Sequence, residues 1–232
     1  MEKRSIFYEY FEPLLLVLAA IFCALPFEAM ILRALFLVVL SIAIIEAIMI
    51  RVEVGSIDYL ASSSFLFVVT VLIVTLIMLI EHAPSSSEWL FVIGIVVSAD
   101  IASIGFGRAL EGYSKPVGTS LKGMNYLGYA IAAPLSMFFG CVVGFGTDIG
   151  ASYAVLVFLA TGWLVAAYAK QLTAFFKKRF FVERSNEMLI QLPVVGYSEV
   201  FVRSSGWLDC VDSVTFAMAY FLILQQIERL LT

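Results

Sequence analysis

Long uninterrupted apolar runs recur along this sequence, and they restrict what the chain can fold into. Several of them reach the roughly 20 residues that a helix needs to cross a bilayer. Of 232 residues, 62% are hydrophobic and 14% are charged, so there is too little polar surface to cover a soluble globule. A transmembrane barrel would alternate apolar and polar residues, which these runs do not. The sequence therefore predicts an all-α, polytopic integral membrane protein.

Polar breaks divide the chain into about seven predicted spans. No linker is long enough to separate two domains, so residues 1–232 are interpreted as a single transmembrane helical bundle. The first run lacks a small-residue cleavage site and is interpreted as an anchor, not as a removed signal peptide. The predicted spans are residues 13–26, 29–50, 60–80, 89–106, 126–143, 151–169 and 207–224.

The positions of the basic residues predict the orientation of the bundle. With a cytoplasmic N-terminus, alternate loops hold nearly all the Lys and Arg residues, and the opposite loops hold almost none. This bias places the two longest polar loops, residues 107–125 and 170–203, on the cytoplasmic side, and seven spans would leave the C-terminus outside. The basic residues of the cytoplasmic loops are Arg51, Arg108, Lys115, Lys122, Lys170, Lys177, Lys178, Arg179, Arg184 and Arg203.

Two carboxylates lie at the start of the last predicted span, in the stretch GWLDCVDS at residues 206–213. The i, i+3 spacing puts Asp209 and Asp212 on one face of a helix. Acids within an apolar span are costly and usually mark a pathway, a metal or a substrate site. A helix cap explains Asp209, but Asp212 lies one turn deeper. Because Mg²⁺ binds through one or two carboxylates plus substrate phosphates, the pair is a candidate Mg²⁺ site.

A second stretch places an acid before a basic loop on the same predicted side. SADIASIGFGR at residues 98–108 contains Asp100 and Arg108, and TSLKG at residues 119–123 contains Ser120 and Lys122. The lysines, hydroxyls and backbone N–H groups of such a loop suit phosphate oxygens. The same loop would also lie at an anionic leaflet without any catalytic role.

A third stretch, KQLTAFFKKR at residues 170–179, interleaves basic with apolar residues, as an interfacial amphipathic helix does. Its Lys177, Lys178 and Arg179 would bind lipid headgroups or neutralise a phosphate substrate. Acids that hold a divalent cation and bases that hold phosphate thus converge on one interface, which predicts a phosphate-handling membrane enzyme. The sequence contains no HExxH or Walker motif, and its one histidine, His82, is expected at the surface on the opposite side.

Together these stretches resemble the phosphatidate cytidylyltransferase (CDP-diacylglycerol synthase) family. That family has an Asp-Thr-Ala-Ala-Tyr-like stretch in a span, then a Gly-Arg/Lys turn and a lysine-rich loop. DIAS at residues 100–103, GR at 107–108 and SLKG at 120–123 are similar. The family closes with a Lys-Arg helix and Asp-Arg-x-Asp-Ser, and KKR at 177–179 and DCVDS at 209–213 are similar in order and spacing. The resemblance covers residue 98 to the C-terminus.

The resemblance implies scaffold helices in residues 1–85 and a catalytic core in residues 86–232. It implies Mg²⁺-dependent formation of a CDP-activated lipid from CTP and a lipid phosphate such as phosphatidate, with release of pyrophosphate at the cytoplasmic face. It also implies a homodimer among membrane lipids, with no nucleic acid partner. Asp209 and Asp212 would be metal ligands and, with Lys122, catalytic residues. Substrate-binding residues would be Asp100, Arg108, Ser120, Lys177, Lys178 and Arg179.

Two other functions stay open. Polyprenol- or dolichol-type lipid kinases, which use CTP, resemble residues 100–123 but lack the terminal Asp-x-x-Asp-Ser. A catalytically inactive scaffold or transporter of the same fold is suggested by the departures from the family. Its His-Gly-Gly element is SSG here at residues 204–206, its Asp-Arg is Asp209-Cys210, and Lys170 falls near its Gly-Asp pair. Transporters typically have broken helices in two matching halves, which this sequence lacks.

Overall fold

The computed structural model describes residues 29–53, 59–110, 113, 126–147, 149–184 and 207–232. Within these ranges the regular structure is entirely α-helical, so the predicted all-α class is confirmed there. The predicted span at residues 13–26 lies outside the described residues. The helices are α1 (Ala29–Glu53), α2 (Tyr59–Glu81), α3 (Ser86–Ala109), α4 (Tyr126–Gly146), α5 (Tyr153–Arg184) and α6 (Trp207–Leu231).

Four of these helices contain a stretch that is long and apolar enough to cross a membrane: Ser86–Gly107, Tyr126–Gly146, Tyr153–Thr173 and Asp212–Leu231. α1 and α2 contribute the shorter apolar stretches Ala29–Ile45 and Phe65–Glu81. These lengths support the prediction of a helical membrane protein. The total of seven spans and the cytoplasmic N-terminus stay predictions.

α5 continues well beyond the predicted end of its span. The prediction ended this span at residue 169 and placed Lys170 in a cytoplasmic loop. The structure instead has one helix of 32 residues, Tyr153–Arg184. Residues 163–184 contain neither Gly nor Pro, so no strong helix breaker interrupts the helix there. The prediction of a loop at Lys170 is therefore wrong, because this residue lies inside the bundle.

α3 is the helix around which the apolar core is built. Its Trp89, Phe91 and Ile95 side chains are almost fully buried. The ring of Phe91 lies 5.8 Å from that of Phe158 on α5 and 6.0 Å from that of Phe221 on α6. The Phe158 and Phe221 rings lie 5.2 Å apart, edge to face, which is a favoured geometry for aromatic pairs. These three rings fix α3, α5 and α6 around one apolar centre.

α4 packs against α3 through a row of small residues. A Cβ atom added to Gly128 would lie 2.5 Å from the Ser103 carbonyl oxygen and 2.9 Å from the Gly107 Cα atom, so the two backbones are in direct contact. Small residues every fourth position allow helices in membranes to approach this closely. The buried residues of α4 follow that spacing and are Gly128, Ala132, Ser136 and Gly140.

Polar contacts join the helices at the end of the bundle that contains the start of α5. Glu228 on α6 accepts hydrogen bonds from the backbone N–H groups of Tyr153, at 2.8 Å, and Ala154, at 3.3 Å. α6 therefore caps the amino end of α5. The Gln226 amide lies 2.7 Å from His82 Nε2. His82 is half-buried in this contact, in contrast to the surface position predicted for it.

Substituting Gly128 with Ala should destabilise the bundle. The added methyl group would overlap the α3 backbone, which cannot move aside as a flexible side chain can, and overpacking of this kind costs about 1–3 kcal/mol. Thermal or denaturant unfolding in detergent measures the effect. Gly144→Ala is the matched control, because a Cβ atom at Gly144 meets nothing within 4 Å. Equal stability of the two variants would contradict the close packing of α3 and α4.

Candidate functional site

A buried ion pair joins α3 to α5. Lys170 Nζ donates a hydrogen bond to Asp100 Oδ2 at 2.7 Å, and the two side chains expose only 7% and 4% of their surface. Ser103 lies one turn further along α3, and its hydroxyl donates to the Asp100 carbonyl oxygen at 3.0 Å. A lone charge at this depth would be very unfavourable, so each partner makes the burial of the other possible.

Tyr129 on α4 and Gln171 on α5 lie next to this ion pair. The Gln171 side-chain amide donates a hydrogen bond to the Tyr129 hydroxyl at 3.3 Å. The same hydroxyl lies within electrostatic reach of the charges on Asp100, Lys170 and Asp212. Tyr129 therefore links α4 to α5 beside the ion pair, through its hydrogen bond with Gln171.

Asp212 reaches the same region from α6. It is 2% exposed, and its Oδ1 atom accepts hydrogen bonds from the Ser213 backbone N–H at 2.6 Å and the Ser213 hydroxyl at 3.3 Å. The Ser213 hydroxyl also lies 3.4 Å from the Ala166 carbonyl oxygen, one turn before Lys170 on α5. α6 thus packs with Asp212 at nearly the same height in the bundle as the ion pair.

We name this group of five side chains the Asp–Lys cluster: Asp100, Tyr129, Lys170, Gln171 and Asp212. It combines two carboxylates, an ammonium, a phenol and an amide among apolar helices. The hydroxyls of Thr173 and Thr215 lie one turn from Lys170 and Asp212, and both are buried without a hydrogen-bond partner in the described part of the chain. Buried polar groups almost always have partners, so these two hydroxyls are exceptions beside the cluster.

The structure brings together only part of the predicted site. Asp100 and Asp212, predicted from separate motifs, are both buried and both lie within electrostatic range of the Tyr129 hydroxyl. Asp209 lies three residues before Asp212 on α6, which places its backbone on the same helical face. The side chains of Asp209 and of the other predicted residues lie outside the described part of the structure. Ser120 and Lys122 lie in a segment that is not described. Arg108 lies on α3, and Lys177, Lys178 and Arg179 lie on α5, but only the backbone is described at these four positions.

The sequence analysis missed three members of the cluster: Tyr129, Lys170 and Gln171. Lys170 followed a long apolar run and was therefore interpreted as the end of a span. The sequence also contains a signal of burial, because four of the five residues from Leu172 to Phe176 are apolar. A lysine flanked on both sides by apolar helix is more consistent with a buried, paired charge than with a loop.

The described side chains do not form a complete metal site by themselves. The described residues contain no group of three or more His, Cys, Asp or Glu side chains that could hold a metal ion. Asp100 is already bonded to an ammonium group. Mg²⁺ needs only one or two carboxylates when substrate phosphates and water supply the rest. Among the described side chains, Asp212 could supply one such carboxylate, and the side chain of Asp209 lies outside the described part of the structure.

A cavity of about 630 Å³ lies between α3 and α4. Nine of its lining residues belong to α3, from Leu90 to Ala109, and Leu135, Phe139 and Val143 belong to α4. Ser98 is the one polar side chain among the lining residues, and its hydroxyl donates to the Ile95 carbonyl oxygen. A cavity with so apolar a lining suits a hydrocarbon chain.

No family model, curated protein or solved structure matches this chain.

Replacing Lys170 with Met should destabilise the protein strongly, because Asp100 would remain buried without its partner. Breaking a buried ion pair from one side typically costs about 3–5 kcal/mol. The double variant Asp100→Asn/Lys170→Met removes both charges and should recover most of that loss. Thermal unfolding of the wild type and both variants in metal-free detergent buffer measures this. A double variant as unstable as Lys170→Met would contradict the pairing.

Proposed function

We propose that this protein is a Mg²⁺-dependent membrane cytidylyltransferase that makes a CDP-activated lipid from CTP and a lipid phosphate. The observation that carries the proposal is the burial of Asp100, Lys170 and Asp212 on three different helices, all within electrostatic range of the Tyr129 hydroxyl. Ionisable side chains in apolar spans are expensive and are retained chiefly where they serve a function.

The reaction requires positive charge around phosphates more than it requires acid or base groups. An oxygen of the lipid phosphate would attack the α-phosphorus of CTP, and the bond from that phosphorus to the pyrophosphate oxygen would break, so that pyrophosphate leaves with the electron pair. Asp209 and Asp212 would hold Mg²⁺, which supplies charge neutralisation on the phosphate oxygens when bound. The cationic side chains predicted from the sequence, Lys122 and residues 177–179, would also neutralise the negative charge on the phosphate oxygens.

The apolar cavity supports a lipid as the acceptor. Its lining runs from Leu90 to Ala109 along α3, which at 1.5 Å per residue is roughly the length of a long acyl or prenyl chain. Ile101 and Ala102 line the cavity and directly follow Asp100 in the sequence. A chain in this cavity would therefore lie along the helix that contributes one member of the Asp–Lys cluster.

The direct test incubates purified protein with labelled CTP, Mg²⁺ and phosphatidate, and separates the products. A CDP-lipid and pyrophosphate support the proposal. A lipid phosphate and CDP, formed from a prenol or another lipid alcohol, would instead identify a lipid kinase. Absence of a CDP-lipid with every common lipid phosphate would refute the cytidylyltransferase.

A non-catalytic scaffold is the second candidate, and the Asp100–Lys170 ion pair favours it. In such a protein the charges of the Asp–Lys cluster would satisfy one another and hold the helices in register without binding a ligand. Equilibrium binding of CTP to purified protein separates the two functions, since a scaffold of this kind has no use for a nucleotide.

Replacing Asp212 with Asn should abolish most turnover while leaving the fold intact. The amide keeps the size of the side chain but removes the charge that would hold Mg²⁺, and losing a main source of charge stabilisation costs at least about a hundredfold in rate. Mg²⁺-dependent CDP-lipid formation at equal protein concentration measures the effect. Asp209→Asn should behave in the same way.

Glu46→Gln is the control for this experiment. Glu46 lies on α1, outside the region of the family resemblance, so its substitution should be nearly silent. Equal activity of Asp212→Asn and wild type would mean that the two aspartates are structural, and the proposed function would fall.

Filling the apolar cavity should weaken binding of the lipid phosphate but not of CTP. A Cβ atom at Gly105 meets nothing within 4 Å, and Gly105 lines the cavity, so Gly105→Leu adds a side chain that starts in open space there. We expect the KM for the lipid phosphate to rise about tenfold, equivalent to about 1.4 kcal/mol, with the KM for CTP unchanged. Gly144→Leu is the matched control, because Gly144 is equally open but does not line the cavity. Parallel kinetic changes in the two variants would exclude a lipid site there.

A further inference from the structure

The apolar cavity between α3 and α4 is more open toward the carboxyl end of α3 than toward its amino end. Its lining residues Ile101 and Phe106 expose 45% and 42% of their surface, whereas Val97 exposes 7%. We name the cavity along residues 101–109 the open end and the cavity along residues 90–98 the closed end. A chain that enters from the bilayer therefore enters at the open end and points toward the closed end.

Gly94 lies in the closed end, where α4 forms the facing wall. A Cβ atom added to Gly94 would lie 3.6 Å from Val143 Cγ2, which is ordinary van der Waals contact. Val143 also lines the cavity, and Leu90 is the last lining residue beyond Gly94 on α3. The missing side chain of Gly94 therefore leaves the space that connects the rest of the cavity to Leu90. A larger residue would end the cavity at this level.

The size of the cavity matches one hydrocarbon chain. A methylene group is about as large as a water molecule, whose share of liquid volume is roughly 30 Å³. A cavity of about 630 Å³ therefore holds about 20 such groups. They would be spread over roughly 28 Å of helix between residues 90 and 109. A single long acyl or prenyl chain has this size, whereas the two chains of a diacyl lipid together are too large.

We propose that the cavity binds a single chain of the lipid phosphate, and that Gly94 sets the length of the chain it accepts. The phosphate lies at the open end, which directly follows Asp100 of the Asp–Lys cluster in the sequence, and the chain runs toward Leu90. A second chain, as in phosphatidate, stays in the bilayer. The phosphate headgroup rests on the proposed function, whereas the selection of one chain rests on the cavity alone.

Steric exclusion, and not hydrophobicity, is what makes the cavity selective. The bilayer is as apolar as the cavity, so a chain gains little hydrophobic energy by moving from one to the other. A chain that stops short of Gly94 does not meet a side chain placed there. A longer chain does, and must fold back or withdraw. The preference for chain length should therefore change sharply at the level of Gly94.

Binding of single-chain alkyl phosphates, from octyl to eicosyl, tests the proposal without catalysis. They are titrated into the purified full-length protein in a non-ionic detergent, and each variant is compared with wild type for the same ligand, so that partition into detergent cancels. In Gly94→Leu the affinity for eicosyl phosphate should fall about tenfold, the order of an overpacking penalty, whereas the affinity for octyl phosphate stays that of wild type. Gly105→Leu, at the open end, should weaken every member of the series.

Gly144→Leu is the matched control, because Gly144 is open but does not line the cavity, and its affinities should equal those of wild type. An equal loss for all chain lengths in Gly94→Leu, no loss for any of them, or the same loss in Gly144→Leu would overturn the proposal. Native mass spectrometry of wild type with hexadecyl phosphate should show one bound molecule per chain. Two bound molecules, or none, would contradict a site for one chain.

Leu90→Ala decides the question even if Gly94→Leu does not fold. It lengthens the closed end, so the affinity for eicosyl phosphate should rise several-fold over wild type while that for octyl phosphate is unchanged. No rise would overturn the proposal. A protein that selects chain length but makes no CDP-lipid would keep this inference and lose the proposed function. A protein that makes CDP-lipid equally well from chains of every length would keep the function and lose the inference.

Discussion

The burial of charge among apolar helices is the constraint on which the rest of this structure depends. Lys170 and Asp100 are almost fully buried on neighbouring helices, and neither is tolerable there without the other. Their pairing requires one rotation and one axial offset of α5 relative to α3. The ring contacts of Phe91, Phe158 and Phe221 supply that same arrangement from the apolar side. Dispersion and electrostatics therefore specify a single register for α3, α5 and α6.

The close contact between α3 and α4 complements this arrangement. Gly128 meets the α3 backbone at Ser103, one turn from Asp100, so α4 approaches the charged segment of α3 more closely than a larger residue would allow. Tyr129 is adjacent in sequence and is thereby carried to the charges of the cluster. Gly128 thus sets the distance between α3 and α4, and that distance brings the Tyr129 side chain near the charges.

Much of the fold follows from the sequence, because continuous apolar runs leave few alternatives to membrane helices. The predicted starts at residues 29, 126 and 207 agree with those of α1, α4 and α6. Asp100 and Asp212 also stood out, because isolated acids in apolar runs are conspicuous. Lys170 did not, because a lysine that follows 17 residues of helix resembles the end of a span. Its partner lies 70 residues away, and no local pattern encodes a contact over such a separation.

The hydrogen bonds of Glu228 also bear on the order in which the helices assemble. The carboxylate that caps α5 follows the capped amide groups by 75 and 74 residues. During synthesis α5 enters the membrane with its first N–H groups still exposed, and they obtain these partners only after α6 has been inserted. The amino end of α5 should therefore reach its final capped form only together with α6. A ribosome paused between them would hold a helix whose leading end is still solvated.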